Sequence, residues 1–394
     1  MASESDKSFL PFEIIINILQ RLPIKSIVRF QCVCKDWKNL FTIPSFIAEQ
    51  ILHSARDNPF LLIHEYDYKY RRSSLRLLNQ KMETAEVLST HSIDSFRRSW
   101  RINGSCNGLL CVELDTEQGR FPISHLLWNP VMNEVREVPQ TLNDFRNFSS
   151  VGFGYSSVVN DFKIVRLYHP ELLKKKEDQL LHSIRLNRAQ MFSLSTGSWK
   201  ELEFGALNAR FSDDAVSANG NIFWFGWDLY PMIVCFHIAT EVFTFTMIPT
   251  LQSGVDVAEH RICPFRLDVH GNKLALCDGF HSINRNSRTY SIYMWVVEEE
   301  DSESGNSLIC TEKYKIGPLA TVLKPLCIWR NQIVCIFIKG EVEGKGKDKG
   351  DLKDFLYLFN LTTKEWMKFH DFSAAYGRCV FFNYERSLVS FCNI

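Results

Sequence analysis

The residues of this chain with most capacity for chemistry are its histidines, cysteines and acidic pairs, together with one glycine-flanked serine. Gly152-Phe153-Gly154-Tyr155-Ser156 is the nearest approach to a nucleophile elbow or a phosphate cradle. It is neither G-x-S-x-G nor a full G-x-G-x-x-G, and it precedes a strand-like run, so no helix N-terminus opens there to meet an anion. The 11 histidines include no H-E-x-x-H or comparable zinc spacing. Asp213-Asp214 and the acidic run 298–301 have the composition of solvated turns, not of a general acid facing a general base. The 12 cysteines are scattered, with Cys32 and Cys34 the nearest pair and no C-x-x-C. Runs such as Leu109-Leu110-Cys111 and Val334-Cys335-Ile336 are the setting of buried, reduced thiols, which suits a cytoplasmic or nuclear protein. The Lys/Gly run GEVEGKGKDKGDLK from Gly340 reads as a low-complexity loop. Catalytic residues, a metal and a cofactor are all unexpected on these grounds.

The elements around these residues are of two kinds. The 394 residues carry a formal net charge of +0, which gives no pull toward nucleic acid or an anionic membrane. The opening MASESDK has no signal core, and no run of about 18 apolar residues exists. A hydrophobic content of 45%, with 30 Phe and 9 Trp, supports a large core. Beyond residue 60 short apolar or alternating runs follow turn pairs: Asn107-Gly108, Asn160-Asp161, Asn219-Gly220, Gly271-Asn272, Asn331-Gln332 and, more weakly, Glu385-Arg386 before 387–391. The steps between them are 53, 59, 52, 60 and 54 residues. A second hairpin interleaves, seen at Leu75, Leu126, Met191, Cys235 and Tyr357, with a degenerate copy from Tyr290. Two hairpins per repeat make a four-stranded propeller blade, and six repeats predict six blades. Each chain end holds part of one blade, so pairing the Asn79 hairpin with the Glu385 hairpin would close the ring.

Residues 10–47 differ from the rest. Leu10-Pro11 and Pro23 each open a helix. Ile14, Ile15, Ile16, Ile18, Leu19 and Leu22 cover roughly 200° of the first, about twice the stripe a surface helix needs. Ile24, Ile27, Val28 and Phe30 follow on the second, and Val33, Trp37, Leu40 and Phe41 on a third. Units of this size rarely stand alone, and the apolar surplus requires a cover. Since the β domain closes on itself, the expected cover is an external partner.

The stretch resembles an F-box. Leu10-Pro11, Ile18-Leu19 through Leu22-Pro23, Lys25-Ser26 and Val33-Cys34-Lys35-Asp36-Trp37 hold the family order and spacing over nearly 40 residues. GSCNGLLC at Gly104, LWNPVMNEVREVP at Leu127, GFGYSSVVNDFKIVRL at Gly152, MFSLSTGSWKELE at Met191 and CFHIATEVF at Cys235 resemble the F-box-associated type 1 domain of plant F-box proteins. That group includes the S-locus F-box proteins and many labelled F-box/kelch, although the Gly-Gly doublets of kelch repeats are absent here. The resemblance implies an α+β multidomain chain: a tail at 1–9, a three-helix F-box at 10–50, a linker at 51–59 and an all-β propeller at 60–394. It implies an Skp-type adaptor, and through it a cullin and RING subunit, as partners. Leu10, Pro11, Ile14, Ile18, Leu22, Pro23, Ile27, Val33, Cys34, Lys35 and Trp37 are then the expected adaptor contacts.

The propeller would hold a protein substrate of unknown identity. Propeller geometry places the loops 115–124, 171–188, 279–288 and 340–354 on the face away from the Asn-Gly turns. Lys174, Lys175, Lys176, Arg185, Arg188, Trp227, Tyr230, Phe280, His281, Arg285 and Arg288 are the expected contacts there. The function expected is substrate recognition in an Skp–cullin–F-box ubiquitin ligase. The alternatives are a propeller hydrolase capped by the helices, or an F-box protein that works with the adaptor without a cullin.

Overall fold

The computed structural model describes residues 10–391 except 58–59, 68–71, 95–99, 115–123, 142–147, 169–187, 206–208, 228–230, 249–264, 272, 285–286, 301–306, 320–321, 338–355 and 370–376. Helices α1 (Phe12–Gln20), α2 (Ile24–Phe30), α3 (Lys35–Leu40) and α4 (Pro44–Asp57) come first. Pro11 and Pro23 cap α1 and α2 through their carbonyls: Pro11 O accepts from Ile14 N at 3.0 Å, and Pro23 O from Ser26 N at 2.8 Å. The expected linker at 51–59 is a correction, because residues 51–57 are helical and belong to α4. The F-box region therefore has four helices, not three. Ile47 is buried and Ile51 is partly buried against the same core, which carries the helix past the predicted boundary.

Six four-stranded antiparallel sheets follow. The first blade holds β1 (Phe60–Asp67), β2 (Arg72–Leu78) and β3 (Thr84–Val87), ahead of a short helix α5 (His91–Asp94). The second holds β4 (Trp100–Cys106), β5 (Leu109–Leu114), β6 (Ser124–Asn129) and β7 (Glu134–Val138); the third β8 (Phe148–Ser156), β9 (Asp161–Tyr168), β10 (Arg188–Ser193) and β11 (Ser198–Leu202). The fourth holds β12 (Arg210–Ala218), β13 (Asn221–Trp227), β14 (Pro231–His237) and β15 (Val242–Met247); the fifth β16 (Arg266–His270), β17 (Lys273–Asn284), β18 (Ser287–Glu300) and β19 (Ser307–Leu319). The sixth holds β20 (Leu323–Trp329), β21 (Gln332–Phe337), β22 (Leu356–Asn360) and β23 (Trp366–Phe369). Strand β24 (Gly377–Tyr384) then returns to the first blade and pairs with β1, with Leu62 opposite Phe382 and Ile63 opposite Phe381. The ring closes between the chain ends, as expected, but through different residues. The closing strand lies before Glu385, whereas residues 385–390 form no strand.

The turn chemistry explains the repeat. Asn107 and Gly108 both have positive φ (48° and 76°), as do Asn219 and Gly220 (50° and 74°). That is the demand of a tight hairpin turn whose twist matches its strands. In the second set of hairpins, Asn79, Asn129 and Asn360 accept backbone N–H groups of their own turns through Oδ1. Strand β9 is buried along its whole length, as befits a strand covered on both faces by neighbouring blades.

Candidate protein-docking surfaces

Helix α1 divides its apolar residues between two environments. Leu19 is 2% exposed, and Ile15, Ile16 and Leu22 pack partly against the same core. Ile14 and Ile18, one turn apart, are 48% and 47% exposed; Leu10 is 57% and Val33 60% exposed, and Phe12 and Ile43 join them. Fully covering such side chains is worth about 1.5–3 kcal/mol each, which makes them a candidate docking surface.

The other predicted adaptor residues divide by role. Pro11, Pro23, Cys34 and Lys35 are exposed. Cys34 also caps α3, its Sγ accepting from Trp37 N at 3.5 Å. Trp37 is half-buried with its ring centroid 5.5 Å from Phe30. Ile27 is fully buried, so it anchors α2 from within and presents no surface.

The propeller covers part of the helices. Leu19, Ile24, Ile27, Leu40, Phe41, Phe46 and Ile47 share one continuous apolar cluster with Leu109, Leu127, Phe153 and Phe162 of the second and third blades and with Leu388 and Val389. This corrects the expectation that the whole apolar surplus awaits an external cover. The helices sit at the face carrying the β4–β5 and β6–β7 turns, where Val131 and Met132 join the cluster.

Of the predicted target contacts, those the structure describes lie at the opposite face. Arg188 begins β10 and is exposed, and Trp227 ends β13 at 37% exposure with its ring 6.0 Å from Phe225. Lys174, Lys175, Lys176, Arg185, Tyr230 and Arg285 lie outside the described residues. The loop expected at 279–288 is a correction. β17 and β18 continue through it as a paired arm, with Gly279 opposite Ile292 and Asn284 opposite Ser287. Phe280, His281 and Arg288 therefore stand on strands, not on a loop. Gly279 permits the arm's close pairing: a Cβ there would meet the Tyr290 hydroxyl at 1.7 Å.

The channel is where a hydrolase site would lie. One terminal strand of each sheet, β4, β8, β12, β16, β20 and β24, lines a cavity of about 690 Å³. Two of its acidic groups, Asp214 and Asp268, are bound to the walls, and burial pushes the carboxyl of a third, Glu385, above the usual range. Asp214 pairs with Arg266 at 3.2 Å. Asp268 accepts from Val269 N and Ile328 N at 2.7 and 2.5 Å, and burial pushes its carboxyl up to about 6. Cys106 is pushed up to about 12 by burial, so it offers no thiolate, and no histidine is among the described lining residues. His125 has a more suggestive setting, with Arg166 2.6 Å from Nδ1 and Glu113 3.8 Å from Nε2. Yet it is sealed between β6 and β9, and burial together with Arg166 and Arg101 holds it well below the usual imidazole range. The group joins two blades. Among the described residues no cluster of His, Cys, Asp or Glu has the makings of a metal site.

Sequence reasoning missed Glu86, Asn129 and Glu134. Asn129 was legible as a turn residue, but its second set of bonds reaches residues 258 and 260 positions away.

Comparison with known proteins agrees with this architecture. Residues 60–390 match the F-box associated beta propeller domain, and residues 8–48 match the F-box domain. A putative F-box/kelch-repeat protein of Arabidopsis thaliana is 25% identical over 252 residues, covering 62% of this chain and 63% of that protein. A putative F-box protein of the same plant is 26% identical over 257 residues, covering 63% and 62%. Its F-box/WD-40 repeat-containing protein 1 is 26% identical over 332 residues, covering 80% and 71%. The chain thus spans less than two thirds of the length of the first two. Four N-terminal helices, a ring of six blades and these matches together show that the chain belongs to the plant F-box proteins that carry an F-box-associated β-propeller domain.

Proposed function

We propose that this protein is the substrate-recognition subunit of an Skp–cullin–F-box ubiquitin ligase. The observation that carries the reading is the set Leu10, Phe12, Ile14, Ile18 and Val33, left exposed on α1 and on the segments before α1 and after α2, while the other side of the helices is already packed. An Skp-type adaptor is the partner that would cover it, with a cullin and a RING subunit beyond. The opposite face, with Arg188, Trp227 and the β17–β18 arm, would hold the target protein. The contribution is positioning and not chemistry: it converts an encounter into a held geometry for ubiquitin transfer. The tied carboxylates of Asp214 and Asp268 and the protonated Cys106 thiol favour this over a hydrolase in the channel. Action in the cytoplasm or nucleus goes with it.

The test is adaptor binding by calorimetry with the full chain and with the double substitution Ile14→Asp, Ile18→Asp. Loss of about 100-fold or more in affinity, with melting unchanged, is the expected result, since two charges would replace about 3–6 kcal/mol of apolar contact. Wild-type protein that fails to bind the adaptor would overturn the reading. Binding of the adaptor without recruitment of a cullin would instead favour the cullin-independent alternative.

A further inference from the structure

Residues 385–391 form no strand, yet they are tied to both halves of the molecule. Asn129 Nδ2 donates to the carbonyls of Ser387 and Val389 at 3.1 and 2.7 Å. Asn129 is fully buried, and its Oδ1 accepts from Val131 N and Met132 N at 2.9 and 3.2 Å. All four bonds are made by one side chain out of water, where an unmade bond is expensive. Glu134 accepts from Ser390 Oγ and Phe391 N, both at 2.9 Å. Arg386 pairs with Glu86 at 2.5 Å and lies over the Phe60 ring, while the other carboxylate oxygen of Glu86 holds Lys25 of α2 at 2.8 Å. Leu388 and Val389 belong to the cluster that contains Leu19, Ile24, Ile27, Leu40 and Phe46. The segment is therefore a layer with the F-box on one side and the β6–β7 hairpin on the other. Asn79, at the matching place in the first blade, turns its amide back to Glu83 of its own hairpin at 3.2 Å.

We propose that residues 385–391 are a strap that fixes the F-box on the propeller, with Asn129 and Glu134 as its positioning residues. Closure of the ring needs β24 only as far as Tyr384, so the strap is separable from the ring. It holds the exposed row of α1 at one distance and angle from the opposite face. The coupling itself stands on the contacts above; its use in ubiquitin transfer rests on the function proposed here.

Hydrogen exchange of the full-length protein tests this with three variants: a chain ending at Tyr384, Asn129→Ala, and Ser390→Asp, which sets a carboxylate against Glu134. Expected is a fall of about ten-fold or more in protection of α1–α4, while β9, β13 and β21 keep theirs. Small-angle scattering should show a larger maximum dimension for the same variants. Glu134→Gln added to Ser390→Asp should restore both measures, because the amide can donate to the new carboxylate, a rescue that a merely packing role would not give. Unchanged helix protection in all three variants would overturn the proposal. So would parallel loss in helices and strands, which would mark general destabilisation. Adaptor binding measured on the same samples separates the two claims: a strap that couples in a protein that never binds the adaptor would sink the proposed function and leave the strap standing.

Discussion

The F-box helices and the propeller blades treat apolar surface in opposite ways. Between blades nearly every large side chain is sealed: Trp100, Trp128, Trp224 and Trp329 are all among the fully buried. On α1, Leu19 is sealed and Ile18, its neighbour, is half exposed. The propeller is complete because each sheet is covered by the next and the last by the first. The helices are complete on one side only. A region that spends all its apolar surface internally is a scaffold, and one that holds part of it back is a plug.

The difference can be broken most severely at the ring. A chain ending at Phe369 lacks β24 and leaves β1 unpaired on that edge; the expected outcome is loss of cooperative β-sheet melting, seen by far-UV circular dichroism. A shortened chain that melts like the parent would show that closure contributes nothing. Next comes the sealed side of the plug. Leu19→Ala should cost about 2–5 kcal/mol by opening a cavity, measured by denaturant titration, with little change in adaptor affinity. Ile18→Ala should do the reverse, weakening adaptor binding while stability stays within about 0.5 kcal/mol. If the two substitutions behaved alike, the division of α1 into two faces would be wrong.

A subtler test lies inside the fifth blade. Burial pushes the Asp278 carboxyl up to about 7. Between about pH 4, where the unfolded carboxyl titrates, and pH 7 the folded state holds more protons than the unfolded. Its contribution to stability is therefore full below that window, falls as pH rises through it and levels off above. The melting temperature of wild type minus that of Asp278→Asn should fall between pH 5 and 7.5; a difference that stays constant across that range would assign the effect elsewhere. The smallest effect is expected at the rim. Lys25→Met breaks a pair whose lysine is 55% exposed, and should cost under about 1 kcal/mol.

What the sequence made legible was what is local. Asn107-Gly108 and Asn219-Gly220 announce their turns because few residues accept positive φ, and the blade period follows from them. The apolar surplus of α1 was legible as periodicity, and exposure of Ile14 and Ile18 is its structural counterpart. Ring closure was legible in outline only. Residues 379–382 and 387–391 are equally apolar, and the choice between them is made by pairing with β1, some 300 positions earlier, which no local pattern records. Gly279, His281 and Asn284 have loop composition, but cross-strand pairing to Ile292, Tyr290 and Ser287 overrides it. The partition of the plug was illegible for the same reason, because Leu19 and Ile24 meet Leu388 and Val389 only in the folded chain.

Pairing of β1 with β24 sets an order of events during synthesis. The F-box and β1 leave the ribosome before β24, and the strand that completes the β1 blade follows roughly 300 residues later, about 15 seconds to a minute at ordinary elongation rates. Throughout that interval the exposed apolar residues of α1 are already made while one edge of β1 stays bare. Under the function proposed above, the surface that joins a complex would thus be finished before the face that selects a target, and an unpaired strand edge would be open in between.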